Sequence, residues 1–427
     1  MLKAIHNPLI KKSFKVLILR TVGVFFLFFV TLYITNNFQV SIVGQYDVSR
    51  AILFIVGSVC LLGINQSIIY YSGYLQANNA LSSIKQIYRI MIAIVLTTSL
   101  LIFLFLLLIP KNAINFFYEK DVYDIVFKTF SILFFYGITL LNIEFYRAIN
   151  KIGFSEIFRN ILRHVFFLIA IIIIDSIGRQ DALVDVFLLN FILLSVGSTM
   201  AVFYSLKKIK KSRNKINIGF KEIISRSYPM SISFICFLLM QSTDIILLGK
   251  FMSFKDVAHY AVAVKLTTII ALVLTSVNAV YAPKIAELFN LNKSKELKDN
   301  IKKATRLIFL LTTPIILFML FFSSSILPLF GKGYINASVA LKILLVSQII
   351  NALSGSVGMY MNMTGNEKIF QRILLIALIV NVVLNWILIP KYYLLGAAVA
   401  TSISTIFWNI YSVWYLYKKK QIKTFLH

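Results

Sequence analysis

The stretch AHYAVAVKLTTIIALVL, residues 258–274, holds a single lysine, Lys265, in a run with no polar face to solvate it. A helix on the surface of a soluble domain confines its apolar residues to one stripe; here they occupy every side. Such a run reads as a membrane-spanning helix, and apolar runs of about 20 residues recur along the whole chain. Composition agrees. Of 427 residues, 59% are hydrophobic and 14% charged, with a mean hydropathy of +0.85, whereas soluble domains are about half apolar and about a quarter charged.

Working outward from this stretch, twelve spans can be drawn, at 16–38, 47–72, 88–110, 124–147, 159–176, 184–206, 227–250, 257–282, 305–329, 336–362, 369–390 and 394–416. The expected fold is therefore all-α and polytopic, with about 12 transmembrane helices, because a helix satisfies its own backbone polar groups in lipid. The cations test this map. Five are read as intramembrane (Arg20, Arg50, Lys128, Lys265 and Lys342), seven lie in alternate loops or at their span ends, and 31 at the termini, in the other loops and at their span ends. That asymmetry places both termini in the cytoplasm. The basic N-terminus MLKAIHNPLIKKSFK leads into an apolar run with no small-residue cleavage site, so this run is expected to be a retained first helix.

A net charge of +27 would suggest nucleic acid in a soluble protein; here it follows from loop orientation, and no nucleic-acid partner is expected. Cys60 and Cys236 lie inside apolar runs and give neither a disulfide framework nor metal-ligand spacing. No metal and no cofactor is expected. Two basic segments stand out. Residues 207–226 read as a cytoplasmic linker between an N-terminal half, 1–206, and a C-terminal half, 227–427. Residues 286–306 have apolar residues at helical spacing and are expected to lie along the headgroups, with anionic lipid as a partner.

The two halves read as repeats. VGQY (43–46) and VAHY (257–260) are 214 residues apart, as are Lys128 and Lys342, and Tyr146 and Tyr360. IFRNIL (157–162) resembles IFQRIL (369–374) at an offset of 212. Six spans per half give both halves the same topology, which is an arrangement of transporters that work by alternating access around a site between repeats. Gly396, Ala400 and Ser404, at i, i+4 spacing, suit close helix packing on the last span.

Ionisable residues within spans are costly and point to function. Arg20, Arg50 and Lys265 are candidates for a cationic substrate cavity, with snorkelling to the headgroups as the alternative for the two arginines. Lys128 and Lys342 occupy equivalent places near the outer ends of spans 4 and 10, where they either line a cavity mouth or snorkel. Arg147 and Arg163 are vestibule candidates or positive-inside anchors. Glu144 has Arg147 one turn away, as an intrahelical pair requires. Asp244 has no cation at i±3 or i±4 and is the better candidate for a coupling ion, H+ or Na+, with Glu144 second. A cavity with five cations against two acids favours an anionic substrate and disfavours drug cations.

Several segments carry a family resemblance: VYAPKIAELF (280–289), FGKGYINASVALKILL (330–345) and NVVLNWILIPKYYLLGAAVATSIS (381–404). With Pro229, Pro283, the Phe330-Gly331-x-x-Tyr334 pattern, Asn385, Ile389-Pro390 and Gly396-Ala397-Ala398-x-Ala400-Thr401, the chain resembles the polysaccharide-transporter branch of the multidrug/oligosaccharidyl-lipid/polysaccharide exporter superfamily, the Wzx-type O-antigen flippases. Ala258, where glycine is common, and Tyr392, Tyr393 and Leu394, in place of a Gly-containing turn, depart from the pattern. The resemblance implies a non-enzymatic flippase of the bacterial inner membrane. It would move a polyprenyl-diphosphate-linked oligosaccharide, an O-antigen or capsule repeat unit, to the outer leaflet, with polysaccharide assembly proteins as further partners. The alternatives are an ion-coupled exporter of a soluble substrate and a membrane glycosyltransferase or polymerase. Against the latter stands the lack of a large outer loop.

Overall fold

The computed structural model describes residues 8–118, 121–209, 214–291 and 293–426. Residues 1–7 of the basic N-terminal segment and residues 210–213 of the expected linker lie outside them. Sixteen helices follow in order: α1 Pro8–Asn37, α2 Val40–Cys60, α3 Ile64–Ala77, α4 Ile84–Leu107, α5 Lys111–Tyr118, α6 Tyr123–Ser131, α7 Leu133–Ala148, α8 Ile152–Glu156, α9 Arg163–Ser176, α10 Leu183–Lys208, α11 Phe220–Phe251, α12 Phe254–Asn290, α13 Ser294–Ile326, α14 Ser338–Ser354, α15 Val357–Met363 and α16 Glu367–Lys420. A π-helical stretch, Ile157–Leu162, joins α8 to α9. No strand occurs among the described residues.

Nine of the described helical segments are long and apolar enough to cross a membrane, ten if α6 and α7, bent by 43°, count as one span. All twelve expected spans fall on helices. Several are broken, each for a local reason. Between α2 and α3 the chain turns through two left-handed residues, Leu62 and Gly63. Within α16, Pro390 removes a hydrogen-bond donor, and Tyr393 leaves helical geometry at φ 55°, ψ −132°. At about 1.5 Å per residue, 54 residues reach far beyond a ~30 Å hydrocarbon layer, so α16 is two spans meeting at this kink. A side chain at Gly396 would strike the Leu388 carbonyl across the kink.

The chain divides into two compact units, Ile18–Leu238 and Met1–Leu17 with Leu239–His427. In the first, Tyr88, Ile94, Leu141, Phe145 and Ile223 pack in one buried core. Its polar centre is Asn142, which accepts from Tyr88 Oη and donates to Ser198 and Thr199 at 2.9 Å each. Residues 214–218 fold back on it: Asn214 Nδ2 donates to the Asn78 carbonyl at 3.0 Å, Ile216 N to Ser83 Oγ at 3.1 Å, and Ile218 is buried. In the second unit, residues 294–306 of the expected headgroup segment are the opening of α13, and Leu297, Ile301, Ala304 and Ile308 turn an apolar face into the protein. The repeat also shows in the helix boundaries: α2 and α12 open at Val40 and Phe254, 214 residues apart.

Candidate charged sites in the two halves

In the N-terminal unit, α1, α7, α8 and the π-helical stretch bring three arginines onto two buried carboxylates. Arg20 Nε and Nη2 each donate to Glu156 at 3.3 Å. Arg147 bridges both acids, donating from Nη2 to Glu156 Oε1 at 3.0 Å and lying 3.2 Å from Glu144 Oε2 through Nη1. Arg159 Nη2 donates to Glu144 Oε1, and Asn160 Nδ2 to Glu156 Oε2 at 2.7 Å. The acids have no more than 4% of their side-chain surface exposed, whereas the arginines show between 24% and 32%. The carboxylates are thus buried beneath arginines that stay partly exposed.

Local sequence explains the assembly. Gly23 lies three residues after Arg20, on the same helix face, and a side chain there would collide with Asn160; its absence lets α1 approach close enough for Arg20 to reach Glu156. The π-helical stretch widens the turn that carries Arg159 and Asn160, a distortion often found at functional positions. Sequence reasoning anticipated the Glu144–Arg147 pair and missed Glu156 and Arg159. The available signal was scarcity: with only 16 acids in the chain, Glu156 stands beside an apolar run and among arginines.

Arg50 and Arg163 form a neighbouring group. Both guanidinium centres lie over the Phe54 ring, Arg163 at 4.7 Å and Arg50 at 5.7 Å, and Arg163 is also 5.2 Å from the Phe191 ring. Arg50 is 3.3 Å from Asp47 one turn back, a spacing the sequence carried and its reading passed over. No carboxylate pairs with Arg163 among the described residues; aromatic faces hold it instead. Lys128 lies 2.7 Å from Asp185 at a half-exposed pair, and Lys342 is exposed.

The C-terminal unit holds Lys265 and Asp244, both buried. Asp244 Oδ2 accepts from Tyr260 Oη at 2.7 Å and from Thr401 Oγ1 at 3.2 Å, while Oδ1 accepts from Ile245 N at 2.8 Å. The polar chain continues: Asn381 Nδ2 donates to Ser404 Oγ at 3.1 Å, and Asn385 Nδ2 to the Asn381 carbonyl at 2.9 Å. Asn385 Oδ1 is buried with no hydrogen-bond partner among the described residues. One carboxylate among hydroxyl and amide oxygens can take a proton or a hard cation. Among the described residues no group of three or more His, Cys, Asp or Glu is placed to hold a metal ion. Lys265 belongs to this unit, and Arg20 and Arg50 to the other.

Repeated apolar helices with a few buried ionisable clusters define a multi-pass membrane protein. Its fold is shared with a solved membrane transporter: the lipid II flippase MurJ, in an inward closed conformation, superposes with a TM-score of 0.71 over 95% of this chain and 87% of that one, at 15% identity. A family model described as "Polysaccharide biosynthesis protein" matches residues 10–289, and the chain belongs to that family; a MatE model matches residues 229–387. The chain is 28% identical over 189 residues to a putative O-antigen transporter of Shigella flexneri, covering 44% of each protein. It is 25% identical over 213 residues to a probable low-salt glycan biosynthesis flippase of Haloferax volcanii, covering 49% of this chain and 45% of that protein. It thus spans about half the length of the curated relatives it matches.

Proposed function

We propose that this protein is a flippase that carries a polyprenyl-diphosphate-linked oligosaccharide from the cytoplasmic to the outer leaflet of the cell membrane. The observation that carries this reading is the partly exposed array of Arg20, Arg147 and Arg159 over two buried carboxylates, beside Arg50 and Arg163. Arginine forks match phosphate oxygens as they match carboxylates, and a lipid diphosphate is the charged part of such a substrate. The names of the Shigella and Haloferax relatives point to the same substrate class. Lys265, in the other unit, serves as a further substrate-binding cation. Asp244, with Tyr260 and Thr401, serves as the site where H+ or Na+ couples transport to a gradient, and polysaccharide assembly proteins are its cellular partners.

The test is reconstitution into vesicles with a fluorescent polyprenyl-diphosphate sugar whose accessibility is followed from each leaflet. Protein-dependent movement under an imposed gradient is expected, and Lys265→Ala is expected to cut the rate at least several-fold with unchanged expression. No protein-dependent movement under any gradient or potential would sink the reading.

A further inference from the structure

Three features of the Arg–Glu network ask for an explanation beyond cohesion. The first is uneven bonding. Charge-assisted N–H···O bonds run at about 2.7–2.9 Å; both Arg20 contacts to Glu156 are longer, at 3.3 Å. Glu156 keeps closer donors in Arg147 at 3.0 Å and Asn160 at 2.7 Å. Arg20 can therefore leave without stranding a buried charge. The second is spare donor capacity: Arg159 Nε and Arg50 Nε are buried with no hydrogen-bond partner among the described residues.

The third feature is that the fold does not need charge at this joint. At the 214-residue offset Glu144 and Arg147 correspond to Gly358 and Met361, and at the 212-residue offset of IFRNIL and IFQRIL Glu156 corresponds to Lys368, two residues before Phe370. There the same meeting of helices is made by the Phe370 ring against Gly358, where a side chain would collide with it. One half closes the joint with glycine and an aromatic ring, the other with buried ions. Buried ion pairs are weak evidence for stability, since apolar packing does as well or better.

We propose that Glu156 is the resident counter-ion of an anion-exchange site, holding Arg20 until a phosphate group of the substrate takes it over. Glu156 is a positioning residue that sets affinity: it keeps the arginines ordered and charge-balanced when the site is empty, and it competes with the incoming anion so that the anion can later be released. The inference rests on the flippase reading and adds to it the residue that governs binding strength.

Inorganic pyrophosphate is the probe, titrated calorimetrically into the purified full-length protein in detergent at low salt. Glu156→Gln removes the competing charge and keeps the shape. It is expected to bind pyrophosphate about tenfold tighter than wild type while unfolding at a lower temperature; a merely structural residue would not raise affinity as stability falls. Arg20→Gln added to Glu156→Gln is expected to abolish the gain. Glu156→Asp, which keeps the charge but withdraws it by one methylene, is expected to give an intermediate affinity and covers a failure of Glu156→Gln to fold. Unchanged or weaker binding in the Glu156 variants, a gain that survives loss of Arg20, or no binding by any form overturns the inference. The flippase reading is judged apart from this, by wild-type transport in vesicles.

Discussion

Asp244 is buried, yet the groups around it are hydroxyls and amides rather than a lysine or arginine at hydrogen-bond distance. A carboxylate held this way is well hydrogen-bonded in either charge state, because Tyr260 and Thr401 can each donate or accept. This is what separates it from Glu144 and Glu156, which arginines contact directly. Asp244→Asn keeps an acceptor for Tyr260 and is expected to fold with wild-type thermal stability, while transport loses its dependence on an imposed proton or sodium gradient. Thr401→Val is expected to weaken that dependence and leave Tyr260 in place. Gradient dependence that survives Asp244→Asn would remove the residue from coupling. At this scale the sequence was a partial guide. The isolation of Asp244 from cations on its own helix was legible by counting i±3 and i±4. Its partners Tyr260 and Thr401 were not, because they arrive from 16 and 157 residues away.

Helix breaks carry the next layer of specificity. Between α14 and α15, Gly355 adopts φ 66°, ψ −143°, a region that side chains other than glycine's hydrogen avoid. A β-carbon there would also collide with Thr305, whose hydroxyl donates to the Thr424 carbonyl at 2.7 Å. Leu426 N completes the clasp by donating to the Leu353 carbonyl at 2.9 Å. One glycine thus lets α14 end where α13 and the segment after α16 converge. Gly355→Ala is expected to destabilise the protein by about 1–3 kcal/mol, seen as a lower unfolding temperature in detergent; Thr305→Val is expected to have a smaller effect through loss of one hydrogen bond. An unchanged unfolding temperature for Gly355→Ala would mean the turn relaxes without strain. Hydropathy had marked 336–362 as one continuous span. It could not show the break, because the short Ser354-Gly355-Ser356 run sits between apolar stretches and only the left-handed backbone reveals the turn.

Across the whole molecule, the two repeats share helix boundaries and differ in how they treat one joint. The repeat itself was legible because identical residues recur at a constant spacing, and Val40 and Phe254 open equivalent helices at that spacing. The cationic excess was legible as well, and so was the i,i+3 spacing of Asp47 and Arg50, but the rest of its neutralisation was not: Glu156 and Asp185 reach Arg20 and Lys128 through geometry that a span map leaves out. If the charges of the N-terminal half serve transport rather than folding, the apolar solution of the C-terminal half should replace them. Arg20→Phe, Glu144→Gly and Arg147→Met install the residues found 214 positions later, and Glu156→Phe with Arg159→Ile supplies a ring and an aliphatic neighbour in place of the charges. Replacing a buried ion network by packed apolar groups is often neutral or stabilising, by up to about 4 kcal/mol, whereas removing one partner alone costs about 3–5 kcal/mol. The fivefold variant is therefore expected to unfold at a temperature no lower than that of Glu144→Gly alone, and to show no movement of a diphosphate-linked lipid in vesicles. A fivefold variant that transports at the wild-type rate would assign the network to structure; one less stable than the single variant would show that the two joints do not pack alike.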